Sequence, residues 1–228
     1  MRDFAAARRV MVDNQVRPAD VTSHAIIDAM LWAPRERFVP KARRDVAYAD
    51  IEIPLGPGRV LLQPRTFAKM LEAASIDPHD LVLDLAPGTG YSTAVIASMA
   101  EAVVAIEPDA GLTRQAQALL VELEVDNAVV SQGDPAAGDP AHGPYDVMFV
   151  NGAVELLPEA LVGQLKQGGR LVAIFRDGGS GGAGGTSEGA VGKCRVLTRA
   201  GNGVSRLYVF DADAPVLPGF ERPVAFAF

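Results

Sequence analysis

The chain has 228 residues, of which 49% are hydrophobic and one is cysteine, and it carries a formal net charge of −7. That length suits one domain with additions, or two small ones, with apolar content enough for a substantial core. The negative balance opposes nucleic acid as the default partner, the lone Cys194 excludes an intrachain disulfide, and the longest uncharged stretch near the core, Leu85–Ala100, is too short and too broken by Pro87, Gly88 and Gly90 to span a bilayer.

Phe4 to Met11 is interrupted by Arg8 and Arg9, so it does not read as a secretory segment, and the expected location is the cytoplasm. Arg8-Arg9 and the arginine-rich stretch Arg35 to Arg44 read as solvated helix faces. Val21 to Trp32 places Ile26, Ile27, Met30 and Leu31 on one helical face, with Thr22 or Ser23 as N-cap and Pro34 as terminator. Phe67, Met70, Leu71 and Ala74 form a second apolar stripe, closed by the turn Asp77-Pro78.

From Leu81 onward strands and helices alternate. The expected strands are Leu81–Leu85, Ala102–Glu107, Ala128–Ser131, Val147–Val150 and Leu171–Phe175. The expected helices are Thr93–Ala100, Leu112–Leu123 and Pro158–Lys166, the last opened by Pro158 and stopped by Gly168-Gly169. Asp177 to Gly192 is a glycine- and serine-rich loop. Lys193–Arg199 and Val204–Phe210 then read as a hairpin around Gly201-Asn202-Gly203. Phe220 to Phe228, with alternating apolar residues, reads as an edge strand or cover. The pattern predicts an α/β fold: a doubly wound, mostly parallel, Rossmann-like sheet of seven strands with an antiparallel C-terminal end and an N-terminal helical extension.

The chemistry concentrates in Leu81 to Tyr91 and in Glu107. A strand reaches Asp84, breaks into a loop with Gly88 and Gly90, and a second strand delivers Glu107. Such a βαβ unit holds a nucleoside-containing cofactor at the carboxyl ends of its strands. Glycine lets backbone approach the ligand closely, and Glu107 suits the hydroxyls of a ribose. A dinucleotide fingerprint requires a third glycine, and Thr93 stands in its place. No tyrosine has a lysine four residues on, which removes the dehydrogenase pattern Tyr-x-x-x-Lys. What remains, Asp84-x-Ala86-x-Gly88-x-Gly90, resembles the first motif of class I methyltransferases that use S-adenosylmethionine, a cofactor without a pyrophosphate. The bland alternative is an ordinary glycine-rich βα turn.

Other motifs weigh little. Gly178–Gly182 and Gly185–Gly189 match the nucleophile elbow G-x-S-x-G but lack the strand before and the helix after. His24, His79 and His142 are scattered, so no metal site is expected. Cys194 reads as structural. Asn151-Gly152-Ala153-Val154 departs from the Pro-Pro element of nucleic-acid amino-methylating enzymes, and no Pro-Cys nucleophile occurs.

Several stretches together resemble the protein-L-isoaspartate O-methyltransferase family over most of the chain. Met11 to Arg17 resembles its opening helix; Pro34-Arg35-Glu36-Arg37-Phe38-Val39-Pro40 matches its P-R-E-x-F-V-P signature. Ala47-Tyr48-Ala49-Asp50, Ile53-Pro54-Leu55-Gly56 and Gln63-Pro64 continue it, and Leu165 to Val172 resembles its L-K-x-G-G-R-L-V run. The resemblance implies S-adenosyl-L-methionine as cofactor, held by Asp84, Ala86, Gly88, Gly90, Tyr91, Glu107 and Asp134. It implies methylation of the isoaspartyl carboxylate of damaged proteins, a repair reaction in which the nucleophile is already a carboxylate and alignment carries most of the catalysis. The substrate side would be Leu62, Gln63, Arg65 and Asn151. Residues 1–76 would form a helical and substrate-loop region packed on the core, and residues 77–228 the cofactor-binding core with glycine-rich loop 177–192.

The sequence departs from the family at two places. Val60-Leu61-Leu62 replaces Thr-Ile-Ser before Gln-Pro, so the hydroxyl set against the transferred methyl is missing; Leu62 cannot donate to a carboxylate, and Arg65 is the replacement donor that the sequence offers. Ala86 replaces the first glycine, a small change at negative φ and a costly one at positive φ. No catalytic residue is therefore assigned. Beside the family enzyme stand two alternatives: a methyltransferase with another acceptor, and a cofactor-binding protein without transfer. The partners expected are peptide or protein carboxylates, without nucleic acid or membrane, and the oligomeric state is not readable.

Overall fold

The structure is a computed structural model that describes residues 3–176, 191–201 and 203–223. The glycine-rich stretch 177–190, with both G-x-S-x-G matches, lies outside the described residues, as do 224–228 of the expected terminal strand.

Helix α1, Phe4–Met11, starts where the Asp3 carboxylate accepts from the Ala6 amide at 2.9 Å, capping an otherwise orphaned donor. It runs on through a π turn and a 3-10 turn to Asp20, whose φ of 63° reverses the chain. Helix α2, His24–Trp32, begins three residues later than its apolar pattern predicts. Ser23 is its N-cap residue, as expected, but makes no side-chain bond to the helix; the Thr22 hydroxyl and the Ser23 amide donate to Glu72. Its end at Ala33 is the extended residue that a following proline demands. Helix α3, Pro64–Ala74, has Pro64 in its first turn, where a missing N–H costs nothing, and buries Phe67, Met70, Leu71 and Ala74.

Between α2 and α3 lies a hairpin that the sequence did not reveal: β1, Ile53–Gly56, antiparallel to β2, Arg59–Leu61, as a sheet of its own. Three or four residues interrupted by Pro54 are too few for periodicity to register.

The main sheet contains β3 (Leu81–Leu85), β4 (Ala102–Glu107), β5 (Ala128–Gln132), β6 (Tyr145–Val154), β7 (Leu165–Phe175), β8 (Lys193–Ala200) and β9 (Gly203–Asp211), in the order β5-β4-β3-β6-β7-β8-β9. The first five are parallel. β8 pairs antiparallel with β7 and β9 antiparallel with β8, so β8 alone runs against the rest. Helices α4 (Tyr91–Ala97), α5 (Ala110–Glu122) and α6 (Glu159–Gly163) lie in the β3–β4, β4–β5 and β6–β7 connections, while the β5–β6 connection has no helix.

The third of these corrects the sequence reading. The helix expected over 158–166 stops at Gly163, and Lys166 to Gly169 belong to β7. Gly168 adopts φ +79°, and a Cβ on Gly169 would sit 2.9 Å from the carbonyls of Lys166 and Tyr145. The glycine pair serves an irregularity in the strand, where register slips between Tyr145 and Val147.

Alternation along the strands builds two cores. Val82, Val103, Ala105 and Phe149 pack with the N-terminal helices and with α3, α4 and α5. Leu83, Leu85, Val104, Ile106 and Met148 pack on the other face with Leu161 of α6 and with Leu217 and Phe220. Phe220 is buried, and its carbonyl accepts from the Glu155 and Leu156 amides, covering the end of β6 without forming a strand. No helix among the described residues is long and apolar enough to cross a membrane.

Candidate cofactor crevice and substrate loop

Asp84 and Glu107 follow from the same alternation. Asp84 is two residues beyond Val82 and Glu107 two beyond Ala105, so both carboxylates face the helical side at the carboxyl edge of the sheet. β3 lies between β4 and β6, the position where successive crossovers leave in opposite directions and where open α/β sheets bind their ligands.

Asp84 is fully buried. One carboxylate oxygen accepts from the hydroxyls of Ser92 and Thr93, each at 2.7 Å, and the other from the Asn151 amide at 2.6 Å. Asn151 also donates to the Leu85 carbonyl at 3.0 Å, which ties β6 to the end of β3. Burial pushes the Asp84 carboxyl up to about 6, against the pull of its three donors. A folded-state value above the ordinary one means that ionisation weakens the fold. This contribution is greatest below about pH 4, shrinks as pH rises to about 6, and is flat beyond, with a total on the order of 2–3 kcal/mol. Urea denaturation between about pH 4 and pH 7 should show this loss in the natural chain and not in Asp84→Asn; parallel curves for the two proteins would refute it.

The loop after β3 is tightly turned. Ala86 has φ +57°, the costly case for a non-glycine residue, while Gly88 at +64° and Gly90 at +89° adopt such angles freely. A Cβ on Gly88 would lie 2.5 Å from Leu55 Cδ1, and one on Gly90 3.0 Å from Ala116 Cβ. The Thr89 hydroxyl donates to the Phe38 carbonyl at 2.6 Å, joining the loop to the P-R-E-x-F-V-P segment. Tyr91 is wholly buried among Phe38, Phe67 and Arg35.

Glu107, expected to face a ribose, is engaged by the chain itself. Arg59 of β2 reaches it in a bidentate pair, Nη1 to Oε1 at 2.7 Å and Nη2 to Oε2 at 2.8 Å. Arg59 Nη2 also donates to the Ala86 carbonyl at 2.8 Å. The Gly88 amide donates to Oε2 at 2.7 Å and the Asp109 amide to Oε1 at 3.2 Å. Glu107 is fully buried and Arg59 6% exposed. The sequence reading missed Arg59; its one signal was a lone cation inside the apolar run before Gln63. Asp134 stands apart on the exposed rim after β5. Its carboxylate accepts from the Ala136 amide at 2.9 Å, and its neighbour Gly133 donates to the Glu107 carbonyl.

The residues expected on the substrate side are dispersed. Leu62 is 3% exposed and packs in the main core. Its carbonyl accepts from Arg35 Nη2 at 2.6 Å, while Arg35 Nε donates to the Ala47 carbonyl at 2.8 Å. Arg35 is completely buried, with the Tyr91 ring 4.9 Å from its guanidinium carbon, and burial lowers its pKa. The arginine of the P-R-E-x-F-V-P segment is thus a strut under the Leu62-Gln63 segment. Gln63 donates to the Thr66 hydroxyl at 2.7 Å. Arg65, expected to meet a carboxylate of the substrate, is exposed and paired with Asp50 at 3.3 Å. Asn151 sits inside, on Asp84. A cavity of about 410 Å³ between Glu52, Gln63, Arg176 and Asp213 opens at the same edge of the sheet, where the Arg176 amide donates to the Val154 carbonyl. No cluster of metal-ligating side chains occurs among the described residues.

Residues 7–179 match the model of a family described as protein-L-isoaspartate(D-aspartate) O-methyltransferase. The chain is 42% identical over 170 residues to a protein-L-isoaspartate O-methyltransferase of Methylorubrum extorquens, covering 75% of this chain and 74% of that one. It is 39% identical over 173 residues to one from Pelotomaculum thermopropionicum, covering 76% of each. Among solved structures, a Plasmodium falciparum chain described as a candidate enzyme of that name, in complex with S-adenosyl-L-homocysteine, superposes with a TM-score of 0.75 over 95% of this chain and 99% of that one. Their identity is 17%, so that likeness speaks to the fold.

Proposed function

Because the chain belongs to the protein-L-isoaspartate(D-aspartate) O-methyltransferase family, we propose that it transfers a methyl group from S-adenosyl-L-methionine to the misplaced carboxylate of isoaspartyl residues in damaged proteins. The observation that carries the reading is Glu107 at the tip of β4, bonded to the Gly88 amide of the loop that ends β3. An acid and a glycine loop at that switch point are the elements that recognise a nucleoside. On this reading the cofactor region comprises Asp84, Ala86, Gly88, Gly90, Tyr91, Glu107 and Asp134, with Asp84 and Tyr91 acting from beneath. As the residues stand, however, they do not accommodate a ribose. Arg59 holds both oxygens of Glu107, and Leu55 lies over Gly88.

For the acceptor we favour the cavity beside Gln63. Leu62 offers no donor and Arg65 is paired with Asp50 outside the cavity, whereas Arg176, just past β7, faces the cavity in a pair with Asp213 at 3.3 Å and would exchange that carboxylate for the one of the substrate. We place the protein in the cytoplasm, acting on peptide or protein carboxylates; a chain of net charge −7 suits neither nucleic acid nor an anionic surface.

The test is incubation with methyl-labelled S-adenosylmethionine and matched isoaspartyl and aspartyl peptides. We expect a base-labile methyl ester on the isoaspartyl peptide alone, and a rise in KM of about tenfold or more in Arg176→Gln, the loss of one charge-assisted contact. Labelling of neither peptide refutes the reading. A second reading, a cofactor binder without transfer, is favoured by the burial of Leu62 where the family has serine. It predicts binding of S-adenosylhomocysteine with no ester formed on any peptide.

A further inference from the structure

A carboxylate offers about four lone-pair positions. At Glu107 all are taken: Oε1 by Arg59 and the Asp109 amide, Oε2 by Arg59 and the Gly88 amide. The two amides belong to the loops that frame the crevice. The two guanidinium donors do not; they arrive from the separate hairpin β1–β2. A pair of parallel N–H groups directed at the two oxygens of one carboxylate makes the same pattern as the two hydroxyls of a ribose. The hairpin places a second side chain on the loop as well, Leu55 against Gly88.

From this we infer that Arg59 is the residue that sets the chain's affinity for its adenosyl cofactor: its guanidinium occupies the ribose position on Glu107, and the ligand binds only as the β1–β2 hairpin withdraws. The inference rests on the cofactor reading above. The hairpin can swing at its tip about a base that Ile53 and Leu61 hold in the main core. It has no ladder to the main sheet, its pairing is irregular between Pro54 and Gly56, and its tip Gly56-Pro57-Gly58 is exposed. A Cβ added at Gly56 or Gly58 would meet nothing within 4 Å. The closed arrangement also leaves Arg59 Nε buried without a hydrogen-bond partner, a cost that withdrawal removes. A ligand competing with an internal occupant binds with its intrinsic affinity reduced by the fraction of open molecules.

The test compares the natural chain with Arg59→Gln and with Leu55→Ala, by calorimetric titration with S-adenosylhomocysteine. Both variants are expected to bind more tightly, Arg59→Gln by about tenfold or more. Hydrogen exchange on the natural chain gives an independent reading that needs no variant: addition of the ligand should raise exchange across residues 53–61. Equal or weaker binding by both variants, with 53–61 still protected in the complex, overturns the role of Arg59 and leaves the cofactor reading intact. No binding by the natural chain or by either variant, all of them folded, refutes the cofactor reading and the inference with it.

Discussion

Glu107→Ala is expected to destabilise the fold by roughly 3–5 kcal/mol, because it strands a buried guanidinium. Arg59 would keep only the Ala86 carbonyl, inside a site where it is 6% exposed. For a domain of this size the change corresponds to a fall in melting temperature of roughly 10 °C. The diagnostic partner is the double substitution Arg59→Met with Glu107→Met. Replacing both charges by apolar groups of similar bulk removes the desolvation cost together with the attraction, and such exchanges are often neutral or stabilising. The double variant still leaves the Gly88 and Asp109 amides and the Ala86 carbonyl without these partners, so urea denaturation should rank it below the natural chain and above Glu107→Ala. If Glu107→Ala unfolds at the same urea concentration as the natural chain, the pair is not formed in solution. That outcome would also weaken the case for an occupied ribose position, since both rest on the same contacts.

Arg35→Met should cost about 3 kcal/mol, through a different balance. The thioether retains the stem's packing but abandons two buried carbonyls, those of Ala47 and Leu62, each worth about 1–3 kcal/mol when left without a donor. Relief of the guanidinium's own desolvation offsets part of this, in keeping with its lowered pKa. Arg35→Lys should recover little, since an ammonium lacks the planar fork that spans two carbonyls. The functional consequence falls on the segment Leu62-Gln63, which loses its tether to the P-R-E-x-F-V-P turn. Hydrogen exchange in residues 60–64 should rise in the variant well before global unfolding. Unchanged exchange there would show that the loop is held by the burial of Leu62 alone.

The parallel sheet was legible because its strands are near-continuous apolar runs separated by helices, a pattern with few other solutions. The crevice was legible for a related reason: Asp84, Gly88, Gly90 and Glu107 lie on one βαβ unit, so spacing along the chain translates directly into position. The helix predicted to Lys166 failed because Gly168-Gly169 satisfies two descriptions, a helix stop and a strand bulge, and only contact with the Tyr145 carbonyl on β6 selects between them. Likewise Arg65 was a reasonable donor in one dimension, and Asp50, fifteen residues earlier, claims it in three.

By itself the sequence determined the family, the sheet, and the placing of an acid and a glycine loop at the strand ends, because these follow from short-range periodicity and fixed local geometry. Only the tertiary structure decided what those groups touch. Glu107 meets Arg59 across 48 residues of chain and Asp84 meets Asn151 across 67. A buried carboxylate takes whichever donor the fold delivers, and that choice depends on packing between segments that share no local pattern.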